Sequence, residues 1–280
     1  MPTGSAAAAR SVEAVLTFNE FGFDGSVVDD ACRDRSITRF EDHRVTIHDL
    51  RGREDSVSLE RNGFAVVRHA TRCRDFRDEE QIRTLYYPDM EALVRQLTGA
   101  RHVRCYGHIV RSRLPDAPPN ARTPAGNVHV DNDFETLRQM ARALAPEQGR
   151  EELLRGRQIL INLWRPIRTV EKDPLAIVDG STMRRANMHP VRLLASRALA
   201  KAPHGYNLSY DPGQRWYYVS RLQPDEVLAF KQIDTQSDAV QFAGHSAFSD
   251  PTSAAGAPER ESIEIRAVAY LPWREREEAA

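Results

Sequence analysis

Residues 206–233 read YNLSYDPGQRWYYVSRLQPDEVLAFKQI. Three short runs rich in aromatic and β-branched residues, Tyr206–Tyr210, Arg215–Leu222 and Val227–Ile233, are separated by Asp211-Pro-Gly and Gln223-Pro-Asp. Each run reads as a strand and each separator as a turn. The same texture extends in both directions, through Gln158–Trp164 and Leu175–Val178 upstream and through Ala239–Phe248 and Ser262–Leu271 downstream. So many short strands with turn signals between them predict an antiparallel sandwich or barrel. The first half adds strands at Val12–Phe18, Arg44–His48, Gly63–His69 and His102–Val110, and four prolines make residues 112–127 a loop. From Asp78 onward, Ile82, Leu85, Tyr86, Met90, Leu93, Val94 and Leu97 recur at helical spacing, with an interruption expected at Pro88 and a C-cap at Gly99. Residues 133–145 and 150–156 also read as helices. The expected fold is mainly β with flanking helices that cover one outer face, as a single domain over residues 11–280 behind a disordered lead-in, residues 1–10.

The totals exclude several classes. With 41% apolar and 28% charged residues, the 280-residue chain has the composition of a folded globular protein. A formal net charge of −1 supplies no global field for nucleic acid or a membrane surface. Cys32, Cys73 and Cys105 have no CxxC spacing, so neither a disulfide framework nor a zinc knuckle is indicated. MPTGSAAAAR is too weakly apolar for the core of a signal peptide, and no apolar run of about 18 residues occurs. A cytoplasmic protein is expected.

The candidate chemistry lies at three places. His129-Val-Asp131 sets an imidazole and a carboxylate two residues apart, so that on extended chain both project to one side and can chelate one ion. A helix N-cap beside a surface histidine would leave the same trace. His245, in Ala239-Val-Gln-Phe-Ala-Gly-His-Ser-Ala-Phe248, falls by alternation on a face with Ala239, Ala243 and Ala247, where small neighbours leave space beside the ring. A structural histidine is the competing reading. Two imidazoles and one carboxylate leave coordination positions open, as non-haem iron(II) oxygenases require, although zinc accepts the same ligands. Fifteen residues beyond His245, Arg260-Glu-Ser262-Ile-Glu-Ile-Arg266 places Arg260, Ser262 and Arg266 on one strand face. Such a face suits a carboxylate receptor, or alternatively a solvated edge strand.

Six segments in order, Asn162-Leu-Trp-Arg-Pro166, Asp173-Pro-Leu-Ala176, Arg215-Trp-Tyr-Tyr-Val-Ser220, Asp225-Glu-Val-Leu-Ala-Phe-Lys231, His245-Ser-Ala-Phe-Ser-Asp-Pro251 and Arg260-Glu-Ser-Ile-Glu-Ile-Arg266, carry a resemblance. Over roughly residues 60–271 the chain resembles the fungal and bacterial hydroxylase/desaturase family that includes the cephalosporin 7-alpha-methoxylation protein and the gibberellin desaturase. The resemblance implies a double-stranded β-helix (jelly roll) that uses Fe(II), 2-oxoglutarate and O₂. It makes His129 and Asp131 the proximal metal ligands, His245 the distal one, and Arg260 the receptor for the far carboxylate of 2-oxoglutarate. Arg266 is similar to a second cosubstrate-directed arginine of other branches, with Ser262 between the two. Asp133 departs from the smaller hydroxyl residue expected after the His-x-Asp.

The implied reaction decarboxylates 2-oxoglutarate to succinate and CO₂ and removes a hydrogen atom from a carbon of a small molecule. Hydroxylation or desaturation follows, in specialised metabolism by family analogy. Trp164, Arg165, Trp216, Tyr217 and Tyr218 are candidates to line the substrate cavity, with a structural role as the commoner fate of such residues. Loops at 112–127 and 180–205 would set substrate choice. Two other readings stand beside this one. One is an auxiliary jelly-roll subunit working with a partner enzyme such as a methyltransferase; the other is a zinc-dependent hydrolase, which would need a general base near the metal.

Overall fold

The computed structural model describes residues 10–28, 36–115, 117–118, 121–194 and 204–272. Of the expected lead-in all but Arg10 lies outside these residues, as does Cys32. In chain order the elements are β1 (Ser11–Asn19), β2 (Ser26–Val28), β3 (Phe40–Asp49), α1 (Leu59–Asn62), β4 (Phe64–Arg68), α2 (Glu79–Gln81), α3 (Tyr87–Thr98), β5 (His102–Arg111) and β6 (His129–Val130). There follow α4 (Phe134–Leu144), α5 (Arg150–Arg155), β7 (Arg157–Pro166), β8 (Leu175–Val178), β9 (Met188–Leu193), β10 (His204–Leu208), β11 (Trp216–Tyr218), β12 (Glu226–Asp234), β13 (His245–Ala247) and β14 (Ser262–Leu271).

The strands form two sheets, a nine-stranded one in the order β1-β3-β11-β8-β13-β6-β10-β9-β2 and a five-stranded one in the order β4-β12-β7-β14-β5. This is the jelly roll. All ten residues of β7 are buried, because both faces of the smaller sheet are covered. Its outer face, carrying Ile159, Ile161, Leu163, Ile263 and Ile265, packs on Ile82, Tyr86, Met90 and Val94 of the helical layer. Each such side chain contributes about 1.5–3 kcal/mol by burial. The inner face, carrying Asn162, Trp164, Glu264 and Arg266, looks at the larger sheet. That sheet curls so that β1 returns beside β6, where the Val128 amide donates to the Thr17 carbonyl at 2.8 Å.

Several expectations meet the fold differently. Pro88 does not interrupt the helical layer, because a π-helical turn at Ile82–Tyr86 precedes it and Pro88 itself sits in the first turn of α3, where its missing N–H costs nothing. The strand expected at Ala239–Phe248 contracts to His245–Ala247. Residues 239–243 instead loop back onto β12: Lys231 Nζ donates to the Val240 carbonyl at 3.1 Å, and the Gln241 amide to the Asp234 carbonyl at 2.8 Å. The alternation assumed around His245 therefore fails, and Phe242 and Ala243 are both buried. Arg215–Leu222 likewise contracts to Trp216–Tyr218, the chain turning at Arg221 with φ of 50°. Conversely β9, which contains Pro190, lies within the segment 180–205 read as loop.

Candidate active site

Two cross-strand rows face each other between the sheets. On the larger sheet, register aligns Ile177, His245, His129 and Asn207 across β8, β13, β6 and β10. On the smaller sheet it aligns Phe230, Asn162 and Arg266 across β12, β7 and β14. Residues directly opposite one another share a face, so each row presents its side chains together. Gly205 lets β10 pass close to the His-x-Asp segment, since a Cβ there would lie 2.5 Å from the Val130 carbonyl oxygen and 2.7 Å from that of Asp131.

His129, Asp131 and His245 converge, with one potential ligand atom of each within 4.8 Å of the others. His129 Nδ1 lies 2.8 Å from the Asn127 carbonyl, which fixes it as a protonated nitrogen and directs Nε2 to Asp131 Oδ1 at 3.5 Å. Asp131 is held from two strands: the Asn162 amide donates to Oδ2 at 2.7 Å, and the Asp131 backbone N–H donates to Gln232 Oε1 at 2.7 Å. Gln232 falls by alternation on the inward face of Phe230, and the bulge between Lys231 and Ile233 then turns Ile233 to that same face, opposite Leu160.

The His245 ring packs against His129 at 4.4 Å and Phe230 at 4.6 Å between centroids, so its neighbours are aromatic and not the small residues expected. Burial, with the charge of His129, pushes His245 down to about 3 and keeps its imidazole neutral. Burial would also lower His129, but the hydrogen bond and charge of Asp131 outweigh it and raise this group. Burial raises the Asp131 carboxyl, yet the charge of Arg266 and the hydrogen bond of His129 hold it well below the carboxylate range.

Arg260 lies just before β14, with the guanidinium 5.3 Å over the Trp164 ring. It is 3% exposed, its Nη1 donates to the Asp173 carbonyl at 2.5 Å, and its Nε has no partner. Burial, reinforced by the charge of Arg111, lowers it to about 9. The charge of Asp173 offsets this only in part, its carboxylate pairing with Arg113 at 2.6 Å. The Ser262 hydroxyl is also buried and unpartnered, and Arg111 sits directly across the strand pair from it. Arg266 instead approaches Asp131 Oδ1 at 3.6 Å and Glu264 Oε1 at 3.5 Å. Among the described residues fifteen buried side-chain polar atoms lack a hydrogen-bond partner, and seven of them belong to Asn207, Gln232, His245, Arg260, Ser262, Glu264 and Arg266. Buried polar atoms are rarely left unpaired, so this concentration marks a place built for ligands. A cavity of about 340 Å³ lined by Phe134, Arg138, Ala141, Leu154 and Gln158 includes none of them.

Other expected residues lie elsewhere. Trp216 and Tyr218 sit on the face opposite His245, as Tyr217 aligns with Ile177 and Ile177 with His245. They pack on Phe18 and Phe248 respectively. Tyr217, on the His245 face, packs against Phe64. Arg165 points to the outer face of β7, where Nε donates to the Tyr86 hydroxyl at 3.0 Å and Nη1 to the Pro224 carbonyl at 2.6 Å. The departure at Asp133 is a helix N-cap, its Oδ1 accepting from the Thr136 N–H at 2.7 Å at the start of α4. The sequence reading missed Asn162, Gln232, Arg111, Asn207 and Glu264. Asn162 and Glu264 lie within the quoted segments and on the same strand faces as Trp164 and Ser262, which was the available signal.

Two imidazoles and a carboxylate converging inside a jelly roll, with a buried arginine nearby, form a candidate metal site in a protein of the double-stranded β-helix class. The comparisons give the family. The model described as oxidoreductase/YMDC permease-like domain matches residues 24–270. Hydroxylase/desaturase efuI of Hormonema carpetanum is 30% identical over 85% of this chain and 87% of its own. Fe(II)/2-oxoglutarate-dependent dioxygenase nvfI of Aspergillus novofumigatus is 32% identical over 81% of this chain and 83% of its own. Among solved structures, the iron and alpha-ketoglutarate-dependent endoperoxidase NvfI superposes with a TM-score of 0.85 at 28% identity, covering 96% of this chain and 100% of that one. The chain belongs to the hydroxylase/desaturase family. No helix of the described residues is long and apolar enough to cross a membrane.

Proposed function

We propose that the protein is an Fe(II)- and 2-oxoglutarate-dependent oxygenase of a small molecule, with His129, Asp131 and His245 holding the metal and Arg260 and Ser262 receiving the far carboxylate of 2-oxoglutarate. The observation that carries this reading is Arg260, a buried guanidinium over Trp164 that makes no ion pair among the described residues, beside the unpartnered Ser262 hydroxyl. A buried cation without a counter-charge is costly, and an incoming carboxylate offsets that cost. The names of the relatives and the convergence of the three metal-binding side chains support the same reading.

When bound, the metal and cosubstrate supply the oxidising power for hydroxylation or desaturation. The chain contributes geometry. Asn127 fixes the His129 tautomer, Asn162 and Gln232 orient Asp131, and Trp164 gives the cosubstrate an apolar floor. Arg111 adds a second positive charge at the carboxylate end. The zinc-hydrolase reading leaves the Arg260 pocket without a purpose, and an auxiliary subunit has no need of the converged triad. The free thiols of Cys73 and Cys105 suit a reducing cytoplasm.

Calorimetric titration of the Mn(II)-loaded protein with 2-oxoglutarate tests the proposal. Wild type binds, and Arg260→Gln binds on the order of 100-fold more weakly, the effect of removing a charge-assisted pair. Equal binding by wild type and Arg260→Gln would place the carboxylate elsewhere and sink the assignment.

A further inference from the structure

Spacing on the strand groups Arg266 with Arg260, but the fold gives the two guanidiniums different neighbours. Among the described residues Arg260 makes no ion pair: it donates to the Asp173 backbone carbonyl, while the Asp173 carboxylate pairs with Arg113. Arg266 lies between two carboxylates, Asp131 at 3.6 Å and Glu264 at 3.5 Å. Both carboxylates are buried or nearly so, with side-chain exposures of 13% for Asp131 and 3% for Glu264. Two such acids repel each other strongly when little water intervenes, and a guanidinium between them offsets that repulsion. Its planar fork also has a preferred direction, which an ammonium lacks. With Asn162 occupying Asp131 Oδ2, Arg266 and His129 Nε2 both face Oδ1. The orientation of the carboxylate is therefore set from three sides by β7, β14 and β6.

We infer that Arg266, braced by Glu264, is a positioning residue for the carboxylate of Asp131 and not a receptor for the cosubstrate. This rests on the oxygenase reading, in which Asp131 is a metal ligand. The division of labour is then simple: Arg260 governs affinity for 2-oxoglutarate, and Arg266 governs affinity for the metal. Groups that orient a metal ligand typically change metal affinity about 10- to 100-fold when removed.

The test titrates apo-protein with Co(II), followed by its visible absorption, and then titrates the Co(II)-saturated protein with 2-oxoglutarate by calorimetry. Arg266→Gln is expected to weaken Co(II) binding about 10- to 100-fold and to alter the shape of the cobalt spectrum, with 2-oxoglutarate affinity at saturating Co(II) within about threefold of wild type. Arg260→Gln is expected to do the reverse, leaving the cobalt titration unchanged. Where Arg266→Gln yields no folded protein, Arg266→Lys, which keeps a cation in the site, is expected to show the same pattern more weakly, with at least about threefold loss of Co(II) affinity. An Arg266 variant that binds Co(II) as wild type does but loses 2-oxoglutarate affinity as Arg260→Gln does overturns the inference. Wild type that binds no Co(II) overturns the oxygenase reading as well, so the two failures are distinguishable.

Discussion

His245→Ala is expected to lose Fe(II) binding by more than about 100-fold while the protein stays folded, a larger effect than loss of a group that merely orients a ligand. His245 sits on a three-residue strand held between β8 and β6, so backbone pairing and not the imidazole keeps this segment in place. The packing against Phe230 and His129 is lost, at a cost of about 1–3 kcal/mol. Metal binding loses one of three protein ligands, and His129 with Asp131 alone cannot complete the facial set. Thermal melting beside an anaerobic Fe(II) titration separates the two effects. A folded variant with wild-type iron affinity would remove His245 from the metal site.

Asp234→Ala is expected to destabilise the fold by about 3–5 kcal/mol, the usual cost of removing one partner from a buried charge cluster. Asp234, Arg157 and Lys231 all have fully buried side chains. Arg157 reaches the Asp234 carboxylate with Nε at 2.9 Å and Nη2 at 2.5 Å, and Lys231 Nζ reaches it at 2.7 Å. Without Asp234, two buried cations are left with Glu60, which lies 3.2 Å from Arg157 and 3.8 Å from Lys231. The cluster also adjoins Gln232, which accepts from the Asp131 N–H, so its loss propagates to the site. Urea denaturation reads the change as a lowered midpoint. A shift below about 1 kcal/mol would mean that Glu60 compensates fully.

Legibility in the sequence followed the physics of each segment. Long strands buried on both faces, such as β7, β12 and β14, announce themselves as apolar runs. Short ones do not: β13 is held by pairing with β6 and β8 and not by its own alternation, and β9 contains a proline. The three residues of the proposed metal site were legible as residue types, yet their convergence depends on the β6–β13 pairing, which no local pattern encodes. Arg260 and Arg266 looked alike by spacing, and only the partners supplied by β6 and by Asp173 separate them. Trp216 and Tyr218 were drawn into the candidate cavity by their aromatic character, whereas register puts them on the other face. Asn162 and Gln232 were missed because an amide carries no charge pattern to mark it, although both hold Asp131.

The central claim is that metal and 2-oxoglutarate meet at His129, Asp131 and His245. Anaerobic titration of the apo-protein with Fe(II) and then 2-oxoglutarate tests it most directly, by the weak visible charge-transfer band of an iron(II)-chelated 2-oxo acid. The expected band saturates at one equivalent of Fe(II), is absent in His245→Ala, and requires far more 2-oxoglutarate in Arg260→Gln. Folded wild-type protein that gives no band with both added would contradict it.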